Sequence, residues 1–502
     1  MKKFISVSAA ALISAACVLL LTGCAENKQT VVLRVCNWEE YIDLGGWEED
    51  EVIDLESGDI FGENSMVDDF TEWFNSTHDF EVRVEYSTFG TNEDLYNRLS
   101  LGDVYDLACP SDYMLMKLIA EGNFVEFSEN FWNTADSENY YANNVSRYID
   151  GEADSIFNKY GWHNLAACYM WGTTGIVYNP EEVETQDVST WNILLNEDYK
   201  RQITIKDNVR DAYFATLGII NGDALTGGIS DDKRSNLLND TSFETIGKAE
   251  DVLKNIKENV YSFETDAGKA DMVTGKVVAN YQWSGDAVYI MDEAEAEDTE
   301  LWYSVPDECT NLWFDGWIKL KNGVEWDERR ETAAEAFVNF LSRPENAVRN
   351  MYYIGYTSAI AGDTVFEYMD WNYGADEDAE QTLDYDLSYF FGEGAYVTAD
   401  AAEFEVGESG VINRGRQLFT QYPPENVIAR SVVMLDFGEK LSDINRMWIN
   451  VRCLDLKDFS PVVVGVTCGL AAFAAIGICL YVFRYRLFIK SRPRKGFEKV
   501  EK

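Results

Sequence analysis

Short runs of β-branched residues alternate with amphipathic helical patterns along this chain, and that order decides the class of fold. Val31-Val32-Leu33-Arg34-Val35 reads as a buried strand. Ser65 then caps a helix pattern in which Met66, Val67, Phe70, Trp73 and Phe74 share one face. Phe80 to Tyr86 alternates as a second strand, and Thr91 caps a helix with Leu95 and Leu99 on its inner side. Val104 to Cys109 is a third strand, leading through Pro110-Ser111-Asp112-Tyr113 into another helix. Alternation of this kind covers both faces of a mostly parallel sheet with helices, so an α/β fold is predicted. About 430 residues lie between the apolar ends of the chain, too many for one ordinary core, and two lobes are expected.

Both ends read as membrane signals. Lys2 and Lys3 precede an apolar run that closes with Leu21-Thr22-Gly23-Cys24, which resembles a bacterial lipobox. Residues 1–23 are therefore expected to be a lipoprotein signal peptide, with Cys24 lipidated. Val462 to Phe483 is an uncharged stretch of about 22 residues, enough to cross a hydrocarbon core of about 30 Å as one transmembrane helix. Arg484, Arg486, Lys490, Arg492, Arg494 and Lys495 follow, and the positive-inside rule puts residues 484–502 in the cytoplasm. Residues 24–460 then lie on the extracytoplasmic side of the cell membrane, in the periplasmic space. Within them, lobe 1 is predicted over about 32–165 and 315–360, and lobe 2 over about 166–312 and 361–455.

The signal and the tail hold ten bases and two acids, so the exterior part carries 31 bases against 86 acids. Such a surface repels nucleic acid and draws cations toward it. Of nine cysteines, Cys17 leaves with the signal, Cys24 is the lipid site, and Cys468 and Cys479 lie in the span. Cys36, Cys109, Cys168, Cys309 and Cys453 remain, an odd set without metal-type spacing, and Cys36 and Cys109 read as buried free thiols. Leu44 to Asn64 holds eight acids and no base, and is expected to be an inserted surface loop. A second acidic stretch, from about Gly362 to Arg414, has no clear period.

Enzyme signatures are missing. His78 and His163 are the sole histidines, and no zinc-protease, phosphate-loop or dinucleotide motif is present. No catalytic residue, metal site or cofactor is expected. A recurring pairing of indole with carboxylate is more informative. Trp38 and Tyr41 flank Glu39 and Glu40 where the first strand ends; Trp283-Ser284-Gly285-Asp286 follows another strand; Trp313-Phe314-Asp315 puts ring and acid on one side of an extended chain. Aromatic faces beside acids suit a cation that carries methylenes.

On these residues the chain resembles the polyamine-binding receptors of spermidine/putrescine ABC importers. The matches run in order from Asn37-Trp38-Glu39-Glu40-Tyr41 through Tyr105-Asp106-Leu107 with Pro110-Ser111-Asp112-Tyr113, and Trp171-Gly172-Thr173-Thr174-Gly175. They continue with Asp207-Asn208-Val209-Arg210-Asp211, Trp283-Ser284-Gly285-Asp286, Trp313-Phe314-Asp315 and Gly355-Tyr356. The resemblance implies a two-lobed periplasmic-binding-protein-like fold whose cleft is walled by Trp38, Tyr41, Trp283, Trp313 and Tyr356. It also implies hydrogen-bonding groups at Ser111 and Tyr113, and ammonium-binding acids at Asp211, Asp286 and Asp315. Asn208 stands where spermidine receptors resemble one another in having an acid, and Glu39 replaces a small hydroxylated residue. The family's late Gln contact aligns near Met434 and is not assigned. Asp112 is expected to cap the helix that follows it, and Arg210 to orient a neighbouring acid.

The resemblance thus implies a receptor that binds putrescine or spermidine and delivers it to ABC permease subunits. Its partners would be the polyamine, the permease and the membrane, with no nucleic acid. A tethered polyamine sensor that signals through a partner is the alternative, and a surface hydrolase a more distant one.

Overall fold

The computed structural model describes residues 28–48, 51–151, 164–376, 379–407 and 410–453, together with Ile476, Ile478 and Tyr481. The expected signal peptide, Cys24, His163, nearly all of the 462–483 run and the basic tail lie outside them. Among the described residues no helix is long and apolar enough to cross a membrane. Two units divide the chain, Met1–Leu441 and Ser442–Lys502. The described part of the second is essentially the helix Leu441–Arg452, in which Ile444, Met447 and Val451 recur at helical spacing.

The first unit is α/β and two-lobed, as expected. Its nine principal strands are β1 (Thr30–Trp38), β2 (Glu81–Phe89), β3 (Leu107–Ala108), β4 (Ala166–Tyr178), β5 (Ile203–Lys206), β6 (Ser262–Glu264), β7 (Ala279–Trp283), β8 (Trp302–Ser304) and β9 (Thr310–Lys319). At one end β1 lies between β2 and β3, parallel to both. At the other, β5 lies between β6 and β7, again parallel to both. The ends are joined by β4 and β9, which pair antiparallel from Ala166↔Ile318 to Thr173↔Leu312, with a register shift between Cys168 and Met170. β9 also pairs with β3, and β4 with β7 and β8. All ten residues of β9 and all but the first of β4 are buried.

The expected caps form. Ser65 Oγ accepts from the Asp68 N–H at 3.1 Å, and Thr91 Oγ1 from the Asp94 N–H at 3.1 Å. The first helix, Met66–Thr77, buries Met66, Phe70 and Phe74, with Val67 and Trp73 at the margin. Cys36, Cys109, Cys168 and Cys309 are buried free thiols.

Both acidic stretches are more structured than their composition indicates. In the 44–64 segment Ile53 and Ile60 form a β-bridge, and Trp47, Ile53, Leu55 and Ile60 are buried. Its root is a buried ion pair. Asp43 accepts from Arg349 Nε at 2.9 Å, from Trp47 Nε1 at 3.1 Å and from the Gly45 N–H at 2.7 Å. Arg349 also reaches Asp69 at 2.7 Å and the Asn64 carbonyl at 2.9 Å, so one guanidinium closes both ends of the insertion. Gly45, at φ 69°, passes so near the Asn64 backbone that any side chain there would collide with it. The 362–414 stretch holds the helix Asp363–Tyr373, a hairpin of Thr382–Asp386 with Tyr396–Asp400, and the strands Phe404–Val406 and Ile412–Gly415. The last of these adds to β8.

Candidate ligand cleft

Strand ends and helix starts assemble the site. Trp38 is the last residue of β1 and Trp283 the last of β7, while Trp313 and Asp315 lie in the shared strand β9. Carboxyl ends of parallel strands are where open α/β sheets bind ligands. Helix Val209–Leu225 follows β5, and Ser284–Glu295 follows β7; Asp211 and Asp286 sit in their first turns. Positive helix ends stabilise both carboxylates there.

Asp315 occupies one end of the cleft. Its Oδ2 accepts from the Tyr41 hydroxyl at 2.7 Å, while Oδ1 is buried without a hydrogen-bond partner. Burial drives this carboxyl up to about 6, with the Ser111 and Tyr41 hydroxyls pulling the other way. Tyr41 is itself fixed: its carbonyl accepts from Tyr169 Oη at 3.0 Å and from Asn37 Nδ2 at 3.2 Å. From Asp315 a row of rings leads away. Tyr41 meets Tyr356 edge-on at 4.9 Å between centroids, and Tyr356 meets Trp313 at 5.7 Å. The Tyr356 hydroxyl then donates to Asp286 Oδ1 at 3.0 Å. The row therefore runs between two acids. Gly285 makes it possible, because any side chain there would strike the Tyr356 ring.

Asp286 is not free. Lys206, the last residue of β5 and 1% exposed, puts its Nζ 3.2 Å from Asp286 Oδ2. The same ammonium stands 4.0 Å above the Trp283 ring and donates to the Thr265 carbonyl at 2.9 Å. Lys269 approaches Asp286 Oδ1 at 3.7 Å. Asp211 accepts from Trp283 Nε1 at 3.4 Å; burial raises it to about 6, partly offset by the nearby Lys206 charge. Sequence reasoning passed over Lys206 and Lys269. Lys206 directly precedes the Asp207-to-Asp211 motif, and a lone lysine closing the apolar run Ile203-Thr204-Ile205 was the available signal.

The remaining expected contacts also have partners within the protein. Asn92 Nδ2 donates to Ser111 Oγ at 3.1 Å and to the Tyr113 hydroxyl at 2.8 Å. The Tyr113 ring is covered by Arg210, whose guanidinium carbon lies 3.5 Å from its centroid and 4.1 Å from that of Phe437. Arg210 is anchored by Asp436 at 3.3 Å and the Leu435 carbonyl at 3.0 Å, with Glu93 at 4.0 Å. It pairs with these acids and not with Asp211, which it reaches only through the field of its charge. Ser111, not Asp112, takes the N-cap position. Asp112 is the first helical residue, accepting from its own helix at the Tyr113 N–H (2.6 Å) and from β9 at the Phe314 N–H (3.2 Å), and burial pushes it up to about 8. Trp38 packs on Phe89 at 4.7 Å with a buried, unpartnered Nε1. Glu39 and Glu40 are both exposed, Glu40 in a left-handed turn at φ 52°; the Lys269 ammonium, lowered by burial, is raised on balance by Asp286 and Asp266 with a smaller share from Glu40.

A two-lobed α/β fold whose sheet is crossed by two strands, with aromatic and acidic side chains gathered around its strand ends, is the architecture of a solute-binding protein. The chain belongs to the bacterial extracellular solute-binding protein family, whose model matches residues 65–362; these are binding proteins and not enzymes. Among curated proteins it is similar to the spermidine/putrescine-binding periplasmic protein of Escherichia coli (strain K12), 23% identical over 348 residues, covering 69% of this chain and 82% of the relative. It is likewise similar to the putrescine-binding periplasmic protein PotF of the same organism, 23% identical over 295 residues, covering 55% and 71%. Among solved structures the fold is shared with the spermidine/putrescine ABC transporter substrate-binding protein PotD from Streptococcus pneumoniae (TM-score 0.54, 22% identity, 85% of this chain and 99% of that one). The TpPotD lipoprotein of Treponema pallidum gives the same TM-score of 0.54 at 18% identity, covering 84% and 99%.

Proposed function

We infer that this protein is an extracytoplasmic receptor for a linear polyamine, which it binds between its lobes and delivers to an ABC permease. The observation that carries this reading is Asp315, a buried carboxylate with one unfilled oxygen, standing at the head of the ring row Tyr41–Tyr356–Trp313. An ammonium at Asp315 Oδ1 gains a charge-assisted hydrogen bond, and methylenes lying along the rings gain apolar burial. Asp211 supplies the second acid, Asp286 is the acid beside Lys206 at the far end of the ring row, Trp38 and Trp283 are the flanking rings, and Ser111 and Tyr113 the polar rim. The names of the similar periplasmic proteins point to the same ligand class. Residues 24–460 form the receptor, with lobe 1 about 32–165 and 315–360 and lobe 2 about 166–312 and 361–455. The receptor is held by lipid on Cys24 and by a span over 462–483, with 484–502 in the cytoplasm.

Titration calorimetry with putrescine and spermidine tests the ligand class: micromolar or tighter binding is expected, and no heat with either amine would refute it. Mass spectrometry of the mature N-terminus, together with protease access to the tail in sealed vesicles, tests the two anchors.

A further inference from the structure

Lys206 is a basic residue in a cleft otherwise built for cations, and it occupies the place a ligand cation would take. Its ammonium makes each of the contacts such a site offers. It lies over an indole face at 4.0 Å, pairs with a carboxylate at 3.2 Å and donates to a carbonyl at 2.9 Å. The groups around it are Asp211, Glu264, Asp286 and Lys269, with Asp266 beyond Lys269. Counted with Asp315, the buried acids number four against two lysines, which leaves two negative charges. Asp211, Glu264 and Asp315 are the acids of this set in no ion pair; Glu264 accepts from the Gly268 N–H at 2.7 Å, while Asp211 and Asp315, beside the rings, are held up to about 6 by burial.

We propose that Lys206 is a built-in ammonium that fills the Trp283–Asp286 subsite, so that the cleft selects a linear diamine over a triamine. The proposal rests on the polyamine reading of the cleft and adds to it the number of charges the ligand carries. A diamine neutralises Asp315 and Asp211. A third ammonium meets an acid already paired, and its desolvation finds no compensating partner.

The test compares Kd values for putrescine and spermidine, by calorimetry on the full-length protein in detergent, for wild type, Lys206→Met and Lys206→Met/Asp286→Asn. Wild type is expected to favour putrescine at least tenfold. Lys206→Met, which uncovers Asp286, is expected to move the ratio at least tenfold toward spermidine. The double variant restores the charge balance without the ion pair, and is expected to keep the wild-type ratio; it also serves if the single variant fails to fold. A ratio unchanged within twofold in Lys206→Met, or a spermidine preference in the double variant, overturns the assignment and leaves the polyamine reading intact. Absence of binding by either amine to all three proteins overturns both together.

Discussion

Asp315 should show a trade of stability for binding, and its replacement by Asn measures both sides. The side chain is 6% exposed, has no cation beside it, and is held at about 6 against an ordinary value of 3.8. That difference corresponds to about 3 kcal/mol against the charged form in the ligand-free fold. The folded pKa lies above the unfolded one, so the folded state binds more protons between pH 3.8 and about 6. Stability from this group is therefore full below that window and is lost as pH rises through it. Asp315→Asn keeps the shape and the Tyr41 hydrogen bond while removing the charge. Without amine, the variant is expected to be more stable than wild type at pH 7.5, by up to about 3 kcal/mol, and nearly equal at pH 4. Binding should respond the opposite way. Losing a charge-assisted, desolvated ammonium contact costs about 2–5 kcal/mol, or roughly 30-fold or more in Kd. Urea unfolding at the two pH values reads the first effect, and calorimetric titration with putrescine the second. A variant less stable than wild type at pH 7.5 without amine would refute the view that Asp315 is an uncompensated buried charge.

Three further outcomes are expected. Putrescine affinity should fall as pH drops below about 6, because Asp211 and Asp315 must both be ionised to receive ammonium groups. Calorimetry at pH 7.5 and 5 should show a loss of about tenfold or more, with proton release on binding near pH 6. Gly285→Ala should drive the added methyl into Tyr356, costing about 1–3 kcal/mol of thermal stability and weakening amine binding more than a surface Gly→Ala change such as Gly247→Ala. Arg349→Ala leaves Asp43 buried without its cation and should cost about 3–5 kcal/mol, with protease cleavage within 44–64 as the local readout.

Much of the scaffold was legible from sequence, for a physical reason. The first helices announce themselves through Ser65 and Thr91, whose hydroxyls can cap only by local geometry. The run Val31 to Val35 announces a strand by its β-branched residues, although only the alternate residues Val31, Leu33 and Val35 are fully buried. The 362–414 stretch was opaque because its strands are three to five residues long, too short for a period to emerge. In the site, Trp313 with Asp315 could be paired because both lie on one strand, and Trp283 with Asp286 because they stand three residues apart across one strand-to-helix turn. Asp286 with Lys206, Ser111 with Asn92, and Tyr41 with Tyr169 join residues far apart in the chain, and no local pattern encodes them. Tyr113 entered as a hydrogen-bonding group through the family resemblance, and the arginine stacked on its ring had no local signal in the sequence.

The joining of the lobes by β4 and β9 has a mechanical consequence. Two separate loops would act as free hinges, but these crossings are neighbours bonded to each other along one ladder. Opening the cleft therefore means flexing a sheet, with its hydrogen bonds kept and its curvature changed, as a leaf spring bends. The shift in register between Cys168 and Met170 is where that spring is thinnest, and it lies level with Asp315, which is paired to Met170. In the proposed receptor, ligand capture and sheet curvature would meet at one rung of the ladder, with the pull of an arriving ammonium applied at the crease.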